Sequence, residues 1–382
     1  MEIVNWNMII YWADQIIFLI FLLPVGYLLI FSMASIKRIR TTYPTAKKHY
    51  RYAVFFPAKM GVDEDIIESV KSFKCQDYPK EKYDIIVISD GLFEQTVTSL
   101  KESGAIVIER INNEPGRKSA LEDALRVLDP SKYDVAILMK PNNTVEINYL
   151  NEINKAYHSG GMAIQTHRMS KRTRSNLNTL SALAEEINNS IFRRGHVNLG
   201  FSSSLIGSGM AFNYNWFHQN IPKLGSPGLT KQLEAALLKQ GIYIEYLENI
   251  CTYDEKTKNV SAYNKQRKGW SKAKRFTLKD AFKDFPNALF SGNFDYCVKI
   301  FQWIMPSRFI LLAYIIIIAL LLPTVEWTLS LKWWILLGVL LLSFSLSIPE
   351  KFINIRTFWA LVLLPFTMII IFSNKILSKI RR

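Results

Sequence analysis

The sequence predicts an α/β fold with a mostly parallel sheet, carried between apolar segments at the two ends of the chain. Two observations predict this arrangement. Between residues 52 and 140, short apolar runs alternate with stretches of helical spacing, which is the pattern of strands joined by crossover helices. Outside that region lie long apolar runs, and apolar residues make up 49% of the 382-residue chain. We therefore expect one sheet-containing domain with helices on both faces of the sheet, plus membrane segments.

The elements of the sheet follow in order along the chain. The predicted strands are 52–58 (YAVFFPA), 83–90 (YDIIVISD), 105–110 (AIVIER) and 133–140 (YDVAILMK). The predicted helices between them are 63–73 (DEDIIESVKSF) and 118–128 (KSALEDALRVL). In sheets of this class, ligands bind beyond the carboxyl ends of the strands. Pro57, Ala58, Asp90 and Lys140 fall at those ends, so the sequence predicts a ligand site there.

Four apolar segments are long enough to be considered as membrane spans. They are 8–35, 307–325, 332–349 and 357–373. A bilayer needs about 20 apolar residues in a helix. The first segment lacks the basic start of a signal peptide and is predicted to be an uncleaved anchor. We expect all four segments at the membrane, and leave open whether each of them crosses it.

The net charge of +15 is concentrated next to these segments. One basic cluster follows the anchor, over 37–51, and another lies at 265–275. Under the positive-inside rule, both clusters and the domain between them are cytoplasmic. Their position beside the membrane favours anionic lipid headgroups over nucleic acid as the partner. The three scattered cysteines, Cys75, Cys251 and Cys297, have no paired spacing and predict reduced thiols and no zinc site.

The topology contains one conflict. An outside N-terminus followed by four crossings would place the basic tail, 375–382, outside the membrane, against the same rule. Either one segment lies in the interface or re-enters, or the tail is an exception.

Five motifs follow one another through the soluble region, and their order resembles that of a known family. The motifs are FFPAKMGVDEDIIESVKSFKCQDYP (55–79), YDIIVISDGLFEQT (83–96), NEPGRKSALEDAL (113–125), GSGMAF (207–212) and GLTKQLEAALLKQGIYIEYLENICTYDE (228–255). The order resembles the membrane-bound family 2 glycosyltransferases, which include cellulose- and hyaluronan-type synthases. The resemblance covers nearly the whole chain. It implies a nucleotide-sugar-binding domain of the type called GT-A, with a mostly parallel sheet and transmembrane helices at both ends.

The resemblance also divides the chain into regions and assigns residues to roles. It implies a membrane anchor at 1–36, a cytoplasmic GT-A-like domain at 37–255, a basic amphipathic interfacial region at 256–306 and membrane segments at 307–382. The nucleotide-binding residues that it implies are Pro57, Ala58, Asp90, Arg117, Lys140 and Asn142. The acceptor-side residues are Gly207, Gly209, Gln266 and Trp270, and the general base stands at the position of Gln232. Trp270 with its basic neighbours suits a membrane-interface anchor equally well.

The acidic residues on which this family depends are replaced in the present sequence. Its metal-binding D-x-D falls on Lys140-Pro141-Asn142, and the T-E-D that ends in the base falls on Thr230-Lys231-Gln232. The opening asparagine-acid pair falls on Met60-Gly61, and the Q-x-x-R-W has lost its arginine at Gly269.

These replacements bear directly on the chemistry. Hard divalent cations prefer carboxylate oxygens, so we expect the Mg²⁺ or Mn²⁺ site of the family to be lost and no metal or other cofactor to be bound. A glutamine amide is not a base at neutral pH, and general-base catalysis contributes about 10²–10⁴-fold in rate. The alternative is that Glu146, Glu234 or Asp254 serves in place of a missing acid. Glu234 is expected to lie on a solvated helix face.

Two functions are compatible with this pattern. The first is a membrane-anchored, catalytically impaired pseudo-glycosyltransferase that binds a nucleotide sugar, a glycan or a partner subunit in surface polysaccharide or glycolipid assembly. The second is an active, metal-independent inverting glycosyltransferase in which Arg117 and Lys140 carry the phosphate charge. Both place a multi-pass protein in a bacterial-type inner membrane, with the main domain in the cytoplasm and with no nucleic acid partner.

Overall fold

The computed structural model describes residues 6–38, 42–111, 114, 116–171, 176–225, 228–254, 277–324 and 326–353. It confirms the predicted α/β class, because eight strands form one sheet with helices on both of its faces. The strands are β1 Tyr52–Lys59, β2 Tyr83–Asp90, β3 Ile106–Glu109, β4 Val135–Leu138, β5 Asn143–Val145, β6 Ala163–Ser170, β7 Met210–Asn213 and β8 Ile244–Asp254. Their order across the sheet is β3-β2-β1-β4-β7-β6-β8-β5.

The first four strands in this order are parallel, and the direction changes at β7. Strands β1 to β4 pair in parallel with one another, and so do β6 and β8. Strand β7 runs antiparallel to both of its neighbours, and β5 runs antiparallel to β8. The carboxyl ends of β2, β1 and β4 therefore meet at one edge of the sheet, where the sequence predicts the ligand site.

Helices cover both faces of this sheet. In chain order the helices are α1 Trp6–Ala34, α2 Asp63–Lys74, α3 Glu94–Glu102, α4 Arg117–Val127, α5 Tyr149–His158, α6 Asn176–Asn189, α7 His196–Asn198, α8 Tyr214–Asn220, α9 Leu229–Lys239, α10 277–290, α11 Phe294–Ile304, α12 Arg308–Leu321 and α13 Trp327–Ser347. A π-helical segment, Ser190–Gly195, joins α6 to α7. The four strands and two helices predicted for residues 52–140 are all present within about two residues of the expected bounds.

Each face of the sheet has its own hydrophobic core, because successive strand residues point to opposite faces. Phe55 and Leu138 belong to a core completed by α4, α8, α9, α10 and α11. Val54 and Ile137 belong to the other core, which α2, α3 and α5 complete. The helices α10 and α11 therefore pack onto the soluble domain, although the sequence assigns them to a separate interfacial region, 256–306. The domain boundaries themselves stay a prediction.

The apolar ends of the chain form a third core. Val25 and Leu28 of α1 pack with Leu311 of α12 and with Trp333 of α13. Ile191 of the π-helical segment belongs to the same core and joins it to the soluble domain.

Two of the described helices are long and apolar enough to cross a membrane, over Tyr11–Ala34 and Trp327–Ser347. They correspond to the predicted spans 8–35 and 332–349. The predicted span 307–325 is a shorter helix, which reaches spanning length only together with α11 across a 60° bend. The fourth predicted span, 357–373, lies outside the described residues.

The helices α1 and α13 run in the same direction. Near their first turns, the indole nitrogen of Trp333 donates to Asp14, at 2.8 Å, and Lys332 pairs with the same carboxylate. Near their last turns, the hydroxyl of Ser347 donates to that of Ser32, at 2.9 Å. Since α13 returns to the level at which α1 ends, both helices finish beside the soluble domain.

The soluble domain holds the end of α1 by close backbone contact. Gly195 approaches the carbonyl oxygen of Phe31 so closely that a β-carbon at position 195 would collide with it. The guanidinium of Arg194 donates to the carbonyl of Ser35, and the hydroxyl of Tyr27 lies 2.6 Å from Nε2 of the buried His196. The anchor is therefore fixed to the domain by specific polar contacts as well as by apolar packing.

Candidate active site at the carboxyl edge of the sheet

The structure brings Asp90 and Lys140 to the same edge of the sheet. Asp90 ends β2 and lies opposite Lys59 of β1, while Lys140 follows β4 by two residues. Because β2 and β4 flank β1, their ends are two strand spacings apart, roughly 10 Å. Asp90 continues the alternation of Ile86 and Ile88, whose side chains face the core that contains α4.

Asp90 belongs to a small charge network with Arg110. The guanidinium of Arg110 lies 3.5 Å from the carboxylate of Asp90 and donates to Asp123 at 2.9 Å. Asp123 is fully buried in α4, whereas the side chain of Asp90 is 39% exposed. The carboxylate of Asp90 thus remains open to a ligand, while the buried Asp123 holds Arg110 in place.

Pro57 and Ala58 lie inside β1, which continues to Lys59. Both residues are buried, and Ala58 belongs to the core beneath α2. At the strand tip, Lys59 and Met60 are the exposed residues. A ligand at this edge would meet the backbone of β1 near Lys59.

The loop after β4 is built around a single carboxylate, that of Asp254 at the end of β8. The side-chain amides of Asn142 and Asn143 donate to the same oxygen of Asp254, at 3.0 and 3.1 Å. The ammonium of Lys140 lies 3.9 Å from the other oxygen, and Nε of Arg168 lies 3.7 Å from it. Two amides and two cations therefore surround one buried acid.

The electrostatics of this cluster follow from burial. Burial, with help from the neighbouring Arg168, lowers the pKa of Lys140 to about 8, although Asp254 acts in the opposite sense. Burial also lowers the pKa of Arg168, but Glu185 and Asp254 more than offset this effect and raise it overall. Arg168 donates to Glu185 at 2.7 Å. Arg168 is thus a permanent cation, and Lys140 is one that titrates near neutral pH.

These contacts do not suit a divalent cation. The D-x-D of the family that the sequence resembles falls on Lys140 and Asn142, where the structure has an ammonium 3.9 Å from Asp254 and an amide that already donates to it. Among the described residues, no group of three or more His, Cys, Asp or Glu side chains lies close enough together to hold a metal ion. Glu146, one of the alternative acids, accepts a hydrogen bond from the hydroxyl of Tyr253. Of the three alternative acids, only Asp254 touches the loop that replaces the D-x-D.

Arg117 begins α4 and points to the same place. Gly116 precedes it with φ of +135°, a conformation that favours glycine, and this lets the chain turn into the helix. The guanidinium donates to the carbonyl oxygens of Gly207, at 2.8 Å, and Met139, at 3.5 Å. Burial, together with the charge of the neighbouring Arg168, lowers its pKa to about 10.

The GSGMAF motif forms a tight loop before β7. Gly209 has φ of +63°, and a β-carbon there would lie too close to the hydroxyls of Thr166 and Thr252. The side chain of Gln165 holds this loop, since it donates to the carbonyl of Ser208 and accepts from the amide of Ile206. Through Gly207 the loop also holds Arg117, so the acceptor-side motif and the phosphate-side arginine form one unit.

Gln232 lies in the first turn of α9, and its side-chain oxygen accepts from the backbone amide of Gly225. The sequence interpretation of Glu234 as a solvated residue is wrong. Its side chain is fully buried, pairs with Lys231 at 2.6 Å and with Lys299 at 3.4 Å, and accepts from the amide of Leu205. Helix α11 covers this face of α9, and its distance along the chain hides the contact from local periodicity.

The remaining predicted site residues, Gln266 and Trp270, lie outside the described residues. Sequence reasoning missed Arg168 and Gln165, and it treated Asp254 only as a possible substitute for a missing acid. No local signal marks these residues, because the pairing of β6 with β8 joins positions roughly 80 residues apart. A polar residue at the carboxyl end of β8 is the one hint that the sequence offers.

Comparison with known proteins supports the fold. No family model matches the chain, and no curated protein matches it. Among solved structures, the mannosyltransferase PcManGT from Pyrobaculum calidifontis, in complex with GDP-Man and Mn²⁺, has a TM-score of 0.56 at 14% identity and covers 88% of this chain and 96% of its own. TarS 1–349 from S. aureus has a TM-score of 0.45 at 12% identity, with 79% and 82% covered.

At this level of identity, the similarity to the mannosyltransferase shows the fold. This chain has the GT-A fold of the glycosyltransferases.

Proposed function

We propose that this protein is a membrane-anchored GT-A protein that has lost sugar transfer and serves as a non-catalytic component of surface polysaccharide or glycolipid assembly. The observation that carries the proposal is the replacement of the metal-binding acids by Lys140 and Asn142, whose side chains surround Asp254. Gln232, at the position of the base, cannot accept a proton at neutral pH. Because both the metal-binding acids and the base are replaced in one site, we infer that the domain is retained for binding.

The ligand edge is retained, and this supports binding of a nucleotide sugar or glycan. PcManGT, which shares the fold, is in complex with GDP-Man. In the present chain Asp90 is open to solvent at the carboxyl edge of the sheet, and Arg117 and Lys140 supply positive charge there. The two long apolar helices support an inner-membrane location, and the basic cluster after α1 supports a cytoplasmic domain. In such an assembly, the domain would bind a partner subunit.

A second candidate function is metal-independent sugar transfer. It is favoured by Lys140 and Arg117, since fixed cations can stabilise a departing diphosphate where a metal is lost. The two functions differ in one measurement. Purified protein in detergent, supplied with UDP- and GDP-sugars in EDTA, releases nucleoside diphosphate in the second case and none in the first.

Restoring the lost acids tests the proposal further. In the double variant Lys140→Asp, Asn142→Asp, two new carboxylates would join Asp254, which contacts both positions. We expect this variant to bind UDP at least several-fold more tightly with Mn²⁺ than without it, and still not to transfer sugar, because Gln232 is unchanged. Lys140→Met, Asn142→Ala is the control, which removes the same side chains without adding acids. Sugar transfer by the natural protein that EDTA abolishes would refute the proposal.

A further inference from the structure

The charge around Lys140 is unbalanced. Four charged groups act on its ammonium, namely Arg117, Arg168, Asp254 and Glu185. Together with Lys140 they comprise three cations and two carboxylates, which leaves one positive charge in excess. Buried charge of one sign is costly unless something neutralises it. The excess indicates an anion that arrives from outside the domain.

Lys140 keeps its hydrogen-bonding capacity for such an anion. The distance of 3.9 Å from its nitrogen to Asp254 is an ion-pair distance and too long for a hydrogen bond. Within the described part of the chain, the ammonium makes no hydrogen bond, although its side chain is only 21% exposed. An ammonium carries three donors. These donors lie at a partly open edge of the sheet and are available to bind an anion.

Arg117 supplies a second set of donors beside Lys140. Among its contacts with the described residues there are two backbone carbonyl oxygens and no carboxylate. It stands in the first turn of α4, a helix of 11 residues whose first turn holds no acidic residue. Backbone amides at such a helix start favour phosphate groups, and a guanidinium matches phosphate geometry. Both features occur on the side of the sheet toward which Asp90 points.

We propose that Arg117, Lys140 and Arg168 form a metal-free diphosphate site, in which Asp254 is an internal counter-ion that the incoming phosphate displaces from Lys140. Arg168 keeps its bond to Glu185 and contributes through its charge. Asn142 and Asn143 keep hold of the other oxygen of Asp254, so only the contact with Lys140 needs to be exchanged. This inference rests on the proposed function, which requires that the edge still binds a ligand.

Two kinds of molecule carry a diphosphate that would fit, a nucleotide and a prenyl lipid carrier. Binding of inorganic pyrophosphate, UDP and farnesyl diphosphate to the full-length protein in detergent, measured by titration calorimetry in EDTA, separates them. We expect pyrophosphate to bind without any divalent metal. Tighter binding of UDP assigns the site to a nucleotide, and tighter binding of farnesyl diphosphate assigns it to a lipid carrier.

Substitutions test the exchange itself. Lys140→Met should weaken pyrophosphate binding by at least about tenfold. An ion pair between an ammonium and a phosphate at about 4 Å is worth more than that factor at the effective dielectric of a protein edge. Asp254→Asn should tighten binding several-fold, because it removes the competing anion and keeps an amide of the same shape. Lys132→Met is the matched control; it removes a lysine that pairs with Asp84 at the opposite edge of the sheet, and binding should not change.

Two results would overturn the inference. One is the absence of pyrophosphate binding in EDTA, and the other is binding that Lys140→Met leaves unchanged in a protein with natural thermal stability. If Asp254→Asn unfolds the domain, the Lys140→Met result alone decides. Failure here leaves the loss of sugar transfer untouched, whereas sugar transfer by the natural protein would refute the proposed function without affecting pyrophosphate binding.

Discussion

At the scale of single residues, the site has the ammonium of Lys140 at a position where the family that the sequence resembles has a metal-binding carboxylate. In the family that the sequence resembles, the carboxylates of the D-x-D would hold a divalent cation, and the cation would meet the diphosphate. Here Lys140 brings its own positive charge to the same loop, and Asp254 keeps that charge balanced in the absence of ligand. The side-chain amides of Asn142 and Asn143 donate to Asp254 and add no negative charge to the loop. Under the proposed function, this exchange makes a metal unnecessary for binding and removes the acid chemistry that sugar transfer uses.

The titration of Lys140 leads to a prediction about pH. Its pKa of about 8, lowered first by burial, means that the ammonium is charged below pH 8 and neutral above it. At pH 9 only about one tenth of the unliganded lysines would carry charge, so binding of pyrophosphate should weaken by up to about tenfold between pH 7 and pH 9. Calorimetric titration at each pH measures this.

The variant Lys140→Arg provides the control, because its guanidinium stays charged over the same pH range. The difference between natural protein and variant isolates the lysine from any titration of the ligand. If both proteins show the same dependence on pH, Lys140 is not the group that binds the anion.

At the scale of secondary-structure elements, the helix that carries Gln232 is locked to the helix that leads to the membrane. Asp295, Lys299 and Gln302 lie on one face of α11, and all three contact the segment 202–204, which precedes the glycine loop. Lys299, which is fully buried, also pairs with Glu234 of α9 at 3.4 Å. Burial raises the pKa of Glu234, but Lys231 and Lys299 more than offset this and lower it overall. The carboxylate therefore stays ionised in the interior.

This buried pair predicts a large effect of substitution. Lys299→Met leaves Glu234 with Lys231 as its only cation among the contacts described above, and breaking a buried pair from one side costs about 3–5 kcal/mol. We expect the free energy of unfolding to fall by about that amount. Adding Glu234→Gln should recover part of the loss, because it removes the buried carboxylate that has lost one of its two cations. Denaturant unfolding in detergent measures all three proteins.

A neighbouring pair on the same helix serves as the comparison. Lys239 of α9 pairs with Asp284 of α10, where both side chains are about 40% exposed. An exposed pair contributes about 0–1 kcal/mol, so Lys239→Met should be nearly neutral. Equal losses in the two lysine variants would show that the buried pair does not hold α9 to α11.

At the scale of the whole molecule, the sequence predicts what is local and misses what is distant. The strands β1 to β4 and the helices between them are visible in short apolar runs and helical spacing, and the motif order indicates the fold. Arg168 and Asp254 meet only because β6 pairs with β8, and Glu234 is buried only because α11 returns to cover α9. Neither contact has a local sequence signal, so the loss of the D-x-D could be predicted but its internal counter-ion could not.

The soluble domain contacts only one end of the bundle that the described apolar helices form. Asn198 donates to the carbonyls of Ala34 and Lys37 at the end of α1. At the end of α13, Lys351 pairs with Glu186 of α6 at 2.9 Å. Arg308, at the start of α12, donates to Asn188 of the same helix α6. All three junctions lie against the domain, so the turn between α12 and α13 lies at the opposite end of the described bundle.

This arrangement predicts opposite accessibility for two positions across a membrane. Cys75 is exposed on the soluble domain, and Thr324 is exposed in the turn between α12 and α13. Under the cytoplasmic orientation that we propose from the basic cluster at 37–51, a membrane-impermeant maleimide should label Cys75 in inverted vesicles and not in intact cells. The variant Thr324→Cys should be labelled at position 324 in intact cells, and protease should cut the domain only in inverted vesicles. Labelling of Cys75 from outside would reverse the orientation, while labelling of both positions from one side would mean that α12 and α13 do not cross the membrane.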